Sequence, residues 1–359
     1  MHDSQFYIRL FSRTFIYRKG MNMRKRILIL CLMLLGLCAA AFAQEDDEET
    51  FFSQAEPMPY ISLTAPGEGQ CFTVQGTLTV SVQGRDTASI CVKLTSPSGY
   101  QISETQEGAS FEHTFQLPER FCESLTLTAV GYSGEGCTGQ ATQLEQYILS
   151  PKEEFIEQMI ALAKKNSTQS RYKFAPAESD TDIGVCKNFV MRLFDTFKAG
   201  YRMAEYPETK LFMPKNNTKK NCAPYDYGIE WAPAEASDGC PFEIVAQFKY
   251  DKSLTKEENY EIAYAMMEQV QRGDFFQMVG NYGGGNGPHS LFFIKDYNPS
   301  TTMLHWTDSN MRGKRVDGVR WGYLQYDADA TAKWFVDCFN MKNRGATLYR
   351  LRDDLYKFE

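Results

Sequence analysis

Residues 289–294 (HSLFFI) form a nearly continuous apolar run that opens with a histidine, and this run decides the fold of the C-terminal half. A run of this kind is typical of a strand that is buried on both faces of a sheet. The predicted strands of this half are residues 274–279, 289–297, 303–308, 316–323 and 347–351. Because helical patterns precede this series of strands, we expect an α+β domain with a central antiparallel sheet over residues 150–359.

Amphipathic patterns predict the helices of the same domain. Residues 152–165 carry apolar side chains at helical spacing, and a second, strongly apolar pattern begins at Cys186. A third helix is expected to follow Thr255, because Thr255 and Glu258 have the spacing of a capping box. The remaining predictions are a helix over residues 331–340 and a long irregular stretch, rich in Pro, Asn, Lys and Tyr, over residues 200–254.

The segment from residue 59 to residue 149 has a different pattern. Short alternating runs, such as residues 77–82 (TLTVSV) and 125–130 (LTLTAV), are separated by turns rich in Gly, Pro and Ser. Helical periodicity is absent from this segment. Six or seven short strands over about 90 residues predict an all-β sandwich of immunoglobulin-like architecture.

The first 43 residues have the pattern of an export signal. A basic group at residues 24–26 precedes an apolar stretch at residues 27–37 and a small-x-small motif at residues 41–43 (AFA). Residues 44–58 are acidic and are interpreted as a solvated linker. We therefore expect a secreted, periplasmic or cell-surface protein that does not span the membrane once it is processed.

The charge balance argues against a nucleic-acid partner. The chain has 38 Lys and Arg against 45 Asp and Glu, and residues 1–43 contain seven of the basic side chains and one of the acidic ones. Their removal leaves 31 basic and 44 acidic residues, which is a net charge of −13. Phosphate backbones repel a chain this acidic, so we expect no binding to nucleic acid.

Eight cysteines remain after residues 1–43 are removed, and an oxidising compartment would permit disulfides among them. The four in the predicted sandwich allow two bridges in any of three connectivities. These four are Cys71, Cys91, Cys122 and Cys137. Cys222 and Cys240 bracket a loop that a bridge would close, whereas Cys338 lies in an apolar run and is expected to be a core thiol.

Cys186, His289 and Asp308 are the candidate catalytic residues. A cysteine at a helix N-terminus fits a nucleophile, because the positive end of the helix lowers the thiol pKa from its ordinary value of about 8.5. His289 opens the buried strand and can take the thiol proton. Asp308 on the next strand can fix the imidazole tautomer, and alternation places Asn310 on the same strand face.

Each of these residues also has a plain structural interpretation. A cysteine in an apolar helix is more often a core thiol, a strand-end histidine can simply be hydrogen-bonded, and Asp308 fits a turn. His305 is a competing base. Residues 282–287 (YGGGNG) are interpreted as a loop that admits or covers substrate. The spacing of His, Cys and Asp matches no metal motif, so we expect no metal and no other cofactor.

The order of these pieces resembles the NlpC-type and CHAP-type cysteine peptidases and amidases, which have a papain-like fold. The resemblance covers residues 172 to about 323 and rests on five elements in the family's order. They are Tyr172, fourteen residues before Cys186; Cys186-x-x-Phe189-Val190; Gly273-Asp274-Phe275-Phe276; Pro288-His289 before apolar residues; and Asp308-x-Asn310. The chain departs from the family pattern in Val185 and Lys187, where Asp and Ser are usual, and in the 103 positions from Cys186 to His289.

The resemblance implies hydrolysis of amide bonds in bacterial cell-wall peptides by a peptidoglycan endopeptidase or amidase. Cys186 would attack the carbonyl, His289 would accept the thiol proton, and Asp308, helped by Asn310, would orient His289. Tyr172 and the Cys186 backbone N–H would support the oxyanion. The alternatives are an inactive surface-binding or adhesion protein on the same fold, and an acyl or peptidyl transferase. The sandwich would position the catalytic domain or bind a surface or protein partner.

Overall fold

The structure is a computed structural model that describes residues 57–72, 76–167, 171–174, 186–212, 240–282, 285–311, 318 and 320–358. The predicted export signal and all but the last two residues of the predicted acidic linker lie outside these residues. Residues Pro57–Glu359 belong to one unit. Within the described part of the chain, no helix has the length and apolarity that a membrane crossing requires.

The N-terminal described region contains two antiparallel sheets that share one hydrophobic core. Their order is β1-β2-β5 in the first sheet and β4-β3-β6-β7 in the second. The strands are β1 (Tyr60–Ala65), β2 (Thr77–Arg85), β3 (Ser89–Thr95), β4 (Gln101–Glu107), β5 (Ser110–Gln116), β6 (Leu125–Gly134) and β7 (Thr138–Ile148). The predicted alternation is confirmed, since Leu78, Val80 and Val82 of β2 are all buried in that core.

The C-terminal region is built on a seven-stranded antiparallel sheet of order β10-β15-β11-β12-β13-β14-β8, and β9 and β16 form a separate pair. Its strands are β8 (Arg171–Phe174), β9 (Tyr201–Met203), β10 (Phe242–Lys249), β11 (Phe275–Tyr282), β12 (Gly285–Phe293), β13 (Met303–Met311), β14 (Arg320–Thr331), β15 (Gly345–Leu351) and β16 (Leu355–Lys357). The helices are α1 (Pro151–Asn166), α2 (Lys187–Phe197), α3 (Lys256–Met267) and α4 (Ala332–Phe339), and a short 3-10 helix (Lys198–Gly200) follows α2.

Both faces of the large sheet are covered, which explains the nearly continuous apolar run in β12. Successive strand residues point to opposite faces. Phe292 packs with residues of α1 and α2, whereas its neighbour Phe293 packs with residues of α3 and α4. Both rings are fully buried, and burial of one such side chain contributes about 1.5–3 kcal/mol to folding.

Two capping boxes explain where helices α1 and α3 begin. Ser150 accepts from the backbone N–H of Glu153 before α1, and Thr255 accepts from Glu258 before α3; both glutamates return a bond to the cap. The predicted helices of this region are confirmed, and each begins within one residue of its predicted start.

The prediction that residues 200–254 form one irregular stretch is wrong in part. Phe242–Lys249 is the edge strand β10, which pairs with β15 through a register shift between Ile244 and Ala246. This shift interrupts the period-two alternation, so the sequence lacks a clear strand signal there.

Residues 282–287 are also not a simple loop. Tyr282 ends β11 and pairs with Gly285 at the start of β12, so the two strands form a hairpin. Gly280 of β11 runs close to helix α4, where an added Cβ would collide with the backbone carbonyl of Cys338. Glycine at this position therefore allows α4 to pack against the strand.

None of the seven described cysteines is in a disulfide. The two bridges considered for the sandwich are thus not formed in this structure, and Cys240 carries no bridge either. Cys222, the partner considered for Cys240, lies outside the described residues. Cys338 is buried in the core of the α4 face, as predicted.

Candidate active site

Cys186 is the N-cap of helix α2 and does not belong to its first turn. Its backbone has φ 49° and ψ −116°, a left-handed φ that few non-glycine residues adopt. Strained backbone of this kind recurs at functional sites. The Cys186 N–H donates to the Ser309 carbonyl of β13 at 2.6 Å. The expectation that this N–H supports an oxyanion is therefore wrong here, because it already serves to hold the helix start against β13.

The helix reaches the sheet where β12 and β13 separate. These two strands pair at Phe292↔Thr307 and Phe293↔Trp306. Beyond those pairs, His289 lies on β12 and Ser309 lies on β13, and the start of helix α2 contacts both strands. The separation of the strands therefore makes room for Cys186 beside the sheet.

His289 links the thiol to a carboxylate. Its Nδ1 lies 3.3 Å from Cys186 Sγ, and its Nε2 lies 2.9 Å from Asp308 Oδ2. His289 is 3% exposed and Asp308 is 0% exposed, whereas Cys186 is half-buried. A hydrogen bond at one ring nitrogen decides which tautomer the other nitrogen presents, so Asp308 can hold Nδ1 as the proton acceptor that faces the sulfur.

Asp308 faces His289 because β13 keeps its alternation through an irregularity in the sheet. The pairs Trp306↔Ala328 and Asp308↔Gln325 are separated by one residue on β13 and by two on β14. The extra residue thus lies on β14, where Asp327 has a left-handed φ of 54°. Trp306 and Asp308 consequently stay on one face of β13.

Tyr282 is a further site residue that the sequence analysis missed. Its hydroxyl donates to Asp308 Oδ2 at 2.5 Å and accepts from Trp306 Nε1 at 3.0 Å. Its ring stacks on the His289 imidazole with a centroid distance of 4.0 Å and an interplanar angle of 19°. Tyr282 is 4% exposed, so both interactions are shielded from water. In the sequence, Tyr282 is marked only by its position between the predicted strand 274–279 and the predicted strand that carries His289.

The other sequence-predicted residues occupy different positions. Asn310 contacts the thiol, with Cys186 Sγ 3.8 Å from its Oδ1, and so it lies on the sulfur side of the site. Tyr172 is on β8, opposite Gly322 of β14. The competing base His305 instead bonds to Asp327, at 2.8 Å from Nδ1 to Oδ1.

The arrangement has the parts of an activated thiol. Transfer of the thiol proton to His289 would give a thiolate beside an imidazolium, and Asp308 would lie within hydrogen-bonding distance of the imidazolium to stabilise its charge. The thiol also lies at the positive end of the α2 dipole, which favours the thiolate. Among the described residues, no group of three or more His, Cys, Asp or Glu side chains is placed to hold a metal ion.

Comparisons with known proteins do not assign the chain to a group. No model of a known protein family matches the sequence, and no curated protein matches it significantly.

Proposed function

We propose that this chain is an exported cysteine hydrolase that cleaves amide bonds in bacterial cell-wall peptides. The proposal includes an immunoglobulin-like sandwich at residues 59–149 and a papain-like domain of the NlpC or CHAP type at residues 150–359. One observation carries it: Cys186 Sγ, both ring nitrogens of His289 and Asp308 Oδ2 form a continuous chain with separations of 3.3 and 2.9 Å.

This geometry supports hydrolysis through a thioester intermediate. Cys186 sulfur attacks the carbonyl carbon of the scissile amide while His289 Nδ1 holds the thiol proton. Collapse of the tetrahedral intermediate breaks the C–N bond, and the imidazolium gives its proton to the departing amine. Water then attacks the thioester with His289 as base, which releases the carboxylic acid and restores the thiol. Asp308 keeps its position throughout and stabilises the imidazolium.

The choice of substrate rests on the resemblance and on the predicted export. The five elements that resemble the NlpC-type and CHAP-type enzymes include both Cys186 and His289, and an export signal would bring the protein to the cell wall. In this proposal the sandwich positions the catalytic domain or contacts a surface partner.

Digestion of purified cell wall tests the proposal. The processed protein should release new peptide termini that mass spectrometry detects, and the Cys186→Ala variant should release none. Cys91→Ala is the matched control, because Cys91 is also half-buried but lies on β3 in the sandwich. Equal fragment profiles for the protein and Cys186→Ala would contradict hydrolysis.

An added amine acceptor separates hydrolysis from acyl transfer. Hydrolysis predicts free carboxylic acid products even when the amine is present. Products that consist of amine adducts alone would replace the hydrolase with an acyl or peptidyl transferase that uses the same thiol.

A further inference from the structure

A cavity of about 480 Å³ adjoins the candidate active site on the α4 face of the sheet. Its lining residues are Tyr282, Trp306, Gln325, Ala328, Asp329, Ala330 and Trp334. Tyr282 contacts both the cavity and the candidate active site. Its ring stacks on the His289 imidazole with a centroid distance of 4.0 Å, and its centroid lies 5.5 Å from that of Trp334. A ligand in the cavity would thus lie one aromatic side chain away from the imidazole. The volume is within the usual range for small-molecule sites.

The aromatic walls of the cavity offer flat surfaces. The rings of Trp306 and Trp334 are nearly parallel, with an interplanar angle of 15° and a centroid distance of 6.0 Å. Trp334 is 36% exposed, which is high for a large apolar side chain. Trp306 is fixed because its Nε1 donates to Tyr282. Trp334 therefore supplies the accessible aromatic surface at the cavity, and a flat ring can pack on an indole of this kind.

Polar groups complement these surfaces at the same cavity. The Gln325 amide and the Asp329 carboxylate line it, and Gln325 is opposite Asp308 in the sheet. The alanine side chains at 328 and 330 leave space above β14. A hexopyranose ring matches this combination, because its C–H face packs on aromatic rings and its hydroxyl or acetamido groups bond to an amide and a carboxylate.

We infer that the cavity is a sugar subsite that binds a hexopyranose, such as an N-acetylhexosamine of the wall glycan, next to the peptide that is cut. This inference rests on the proposed function for its choice of substrate. The aromatic and polar lining of the cavity adds a preference for peptides that are still attached to glycan over free peptides.

Sugar binding is tested without hydrolysis. In the Cys186→Ala background, N,N′-diacetylchitobiose is titrated while tryptophan fluorescence and calorimetry are recorded. Saturable binding is expected, and Trp334→Ala and Gln325→Ala should each weaken it by about tenfold. Ile262→Ala, which changes an exposed apolar residue on α3 (51% exposed), is the control and should leave binding unchanged.

A second variant protects the test from a folding defect. Ala328→Leu fills the cavity and retains its aromatic walls, and it should abolish sugar binding while thermal unfolding shows a folded protein. Absence of chitobiose binding to the parent protein would overturn the inference, and so would equal binding by Ala328→Leu. Tighter binding of tetramethylammonium than of chitobiose would replace the sugar subsite with a cation site and would also overturn it.

Hydrolysis data distinguish this inference from the proposed function. With intact Cys186, Trp334→Ala should lower kcat/KM about tenfold more for glycan-linked peptide than for the free peptide. If no peptide is cut but chitobiose binds as described, the hydrolase proposal fails and the sugar subsite stands. If peptide is cut without any sugar binding, the subsite fails and the hydrolase proposal stands.

Discussion

At the scale of single residues, the candidate site depends on side chains that lie far apart in sequence. Cys186 and His289 are separated by 103 positions but lie 3.3 Å apart at Sγ and Nδ1. Their residue types and order could be predicted from the sequence, because a helix start and a buried apolar run each leave a local pattern. The prediction that His289 opens the strand is wrong, since β12 already begins at Gly285. The role of Tyr282 could not be predicted. It depends on the pairing of β11 with β12, which brings the Tyr282 ring onto the imidazole, and on a hydroxyl that reaches Asp308 of β13.

The Tyr282 hydroxyl should position Asp308 and His289. Tyr282→Phe keeps the ring that stacks on the imidazole but removes the donor to Asp308 and the acceptor for Trp306 Nε1. We expect kcat/KM for wall peptide to fall about tenfold and its pH profile to move. The unpaired indole N–H should lower the free energy of unfolding by about 1–3 kcal/mol.

The control for this prediction is Tyr264→Phe. It removes a hydroxyl on helix α3 that lies 3.4 Å from the Tyr297 hydroxyl. If Tyr282→Phe changes the stability alone and leaves the pH profile in place, then Tyr282 has no positioning role.

At the scale of elements, strong local signals made the helices predictable, and weak ones left the strands β8, β9, β10 and β16 unpredicted. Capping boxes define the starts of α1 and α3. The strand β8 has only four residues, and the alternation of β10 is interrupted by its register shift. The strand order of the seven-stranded sheet was also beyond the sequence, because pairing across many intervening residues leaves no local pattern.

The contact between β11 and helix α4 should depend on glycine at position 280. Gly280→Ala forces the new methyl group into the Cys338 carbonyl, so we expect the free energy of unfolding to fall by about 1–3 kcal/mol. Gly287→Ala is the control, because Gly287 pairs with Gly280 across the hairpin and a Cβ there meets open space. Chemical denaturation measures both variants, and equal stability for the two would contradict the proposed packing.

At the scale of the whole molecule, the two described regions join without a linker. Strand β7 ends at Ile148, and Ser150 caps α1. Across the junction, Arg120 donates to the Ala204 carbonyl at 3.3 Å and Tyr147 donates to Glu153 at 2.7 Å. The predicted change of pattern near residue 150 lies between β7 and α1. No sequence signal indicates the contacts across it.

Burial should separate the cysteines of the folded protein by reactivity. Desolvation, with nearby carboxylates, raises the pKa of Cys122 and of Cys338 to about 12. Only the thiolate reacts with iodoacetamide. Because pH 8 is far below the pKa of both thiols, Cys122 and Cys338 remain protonated. Peptide mapping should therefore find Cys186 labelled long before these two. Labelling in denaturant is the control, and rapid labelling of Cys338 in the folded protein would contradict its burial.

The most direct test of the account is the pH dependence of Cys186 alkylation in the parent protein and in His289→Ala. If the imidazole takes the thiol proton, the parent protein should react readily in mildly acidic solution, and His289→Ala should reach the same rate only at clearly higher pH. The control Tyr264→Phe should follow the parent profile. Superimposable profiles for the parent protein and His289→Ala would contradict the account, because Cys186 would then ionise independently of His289.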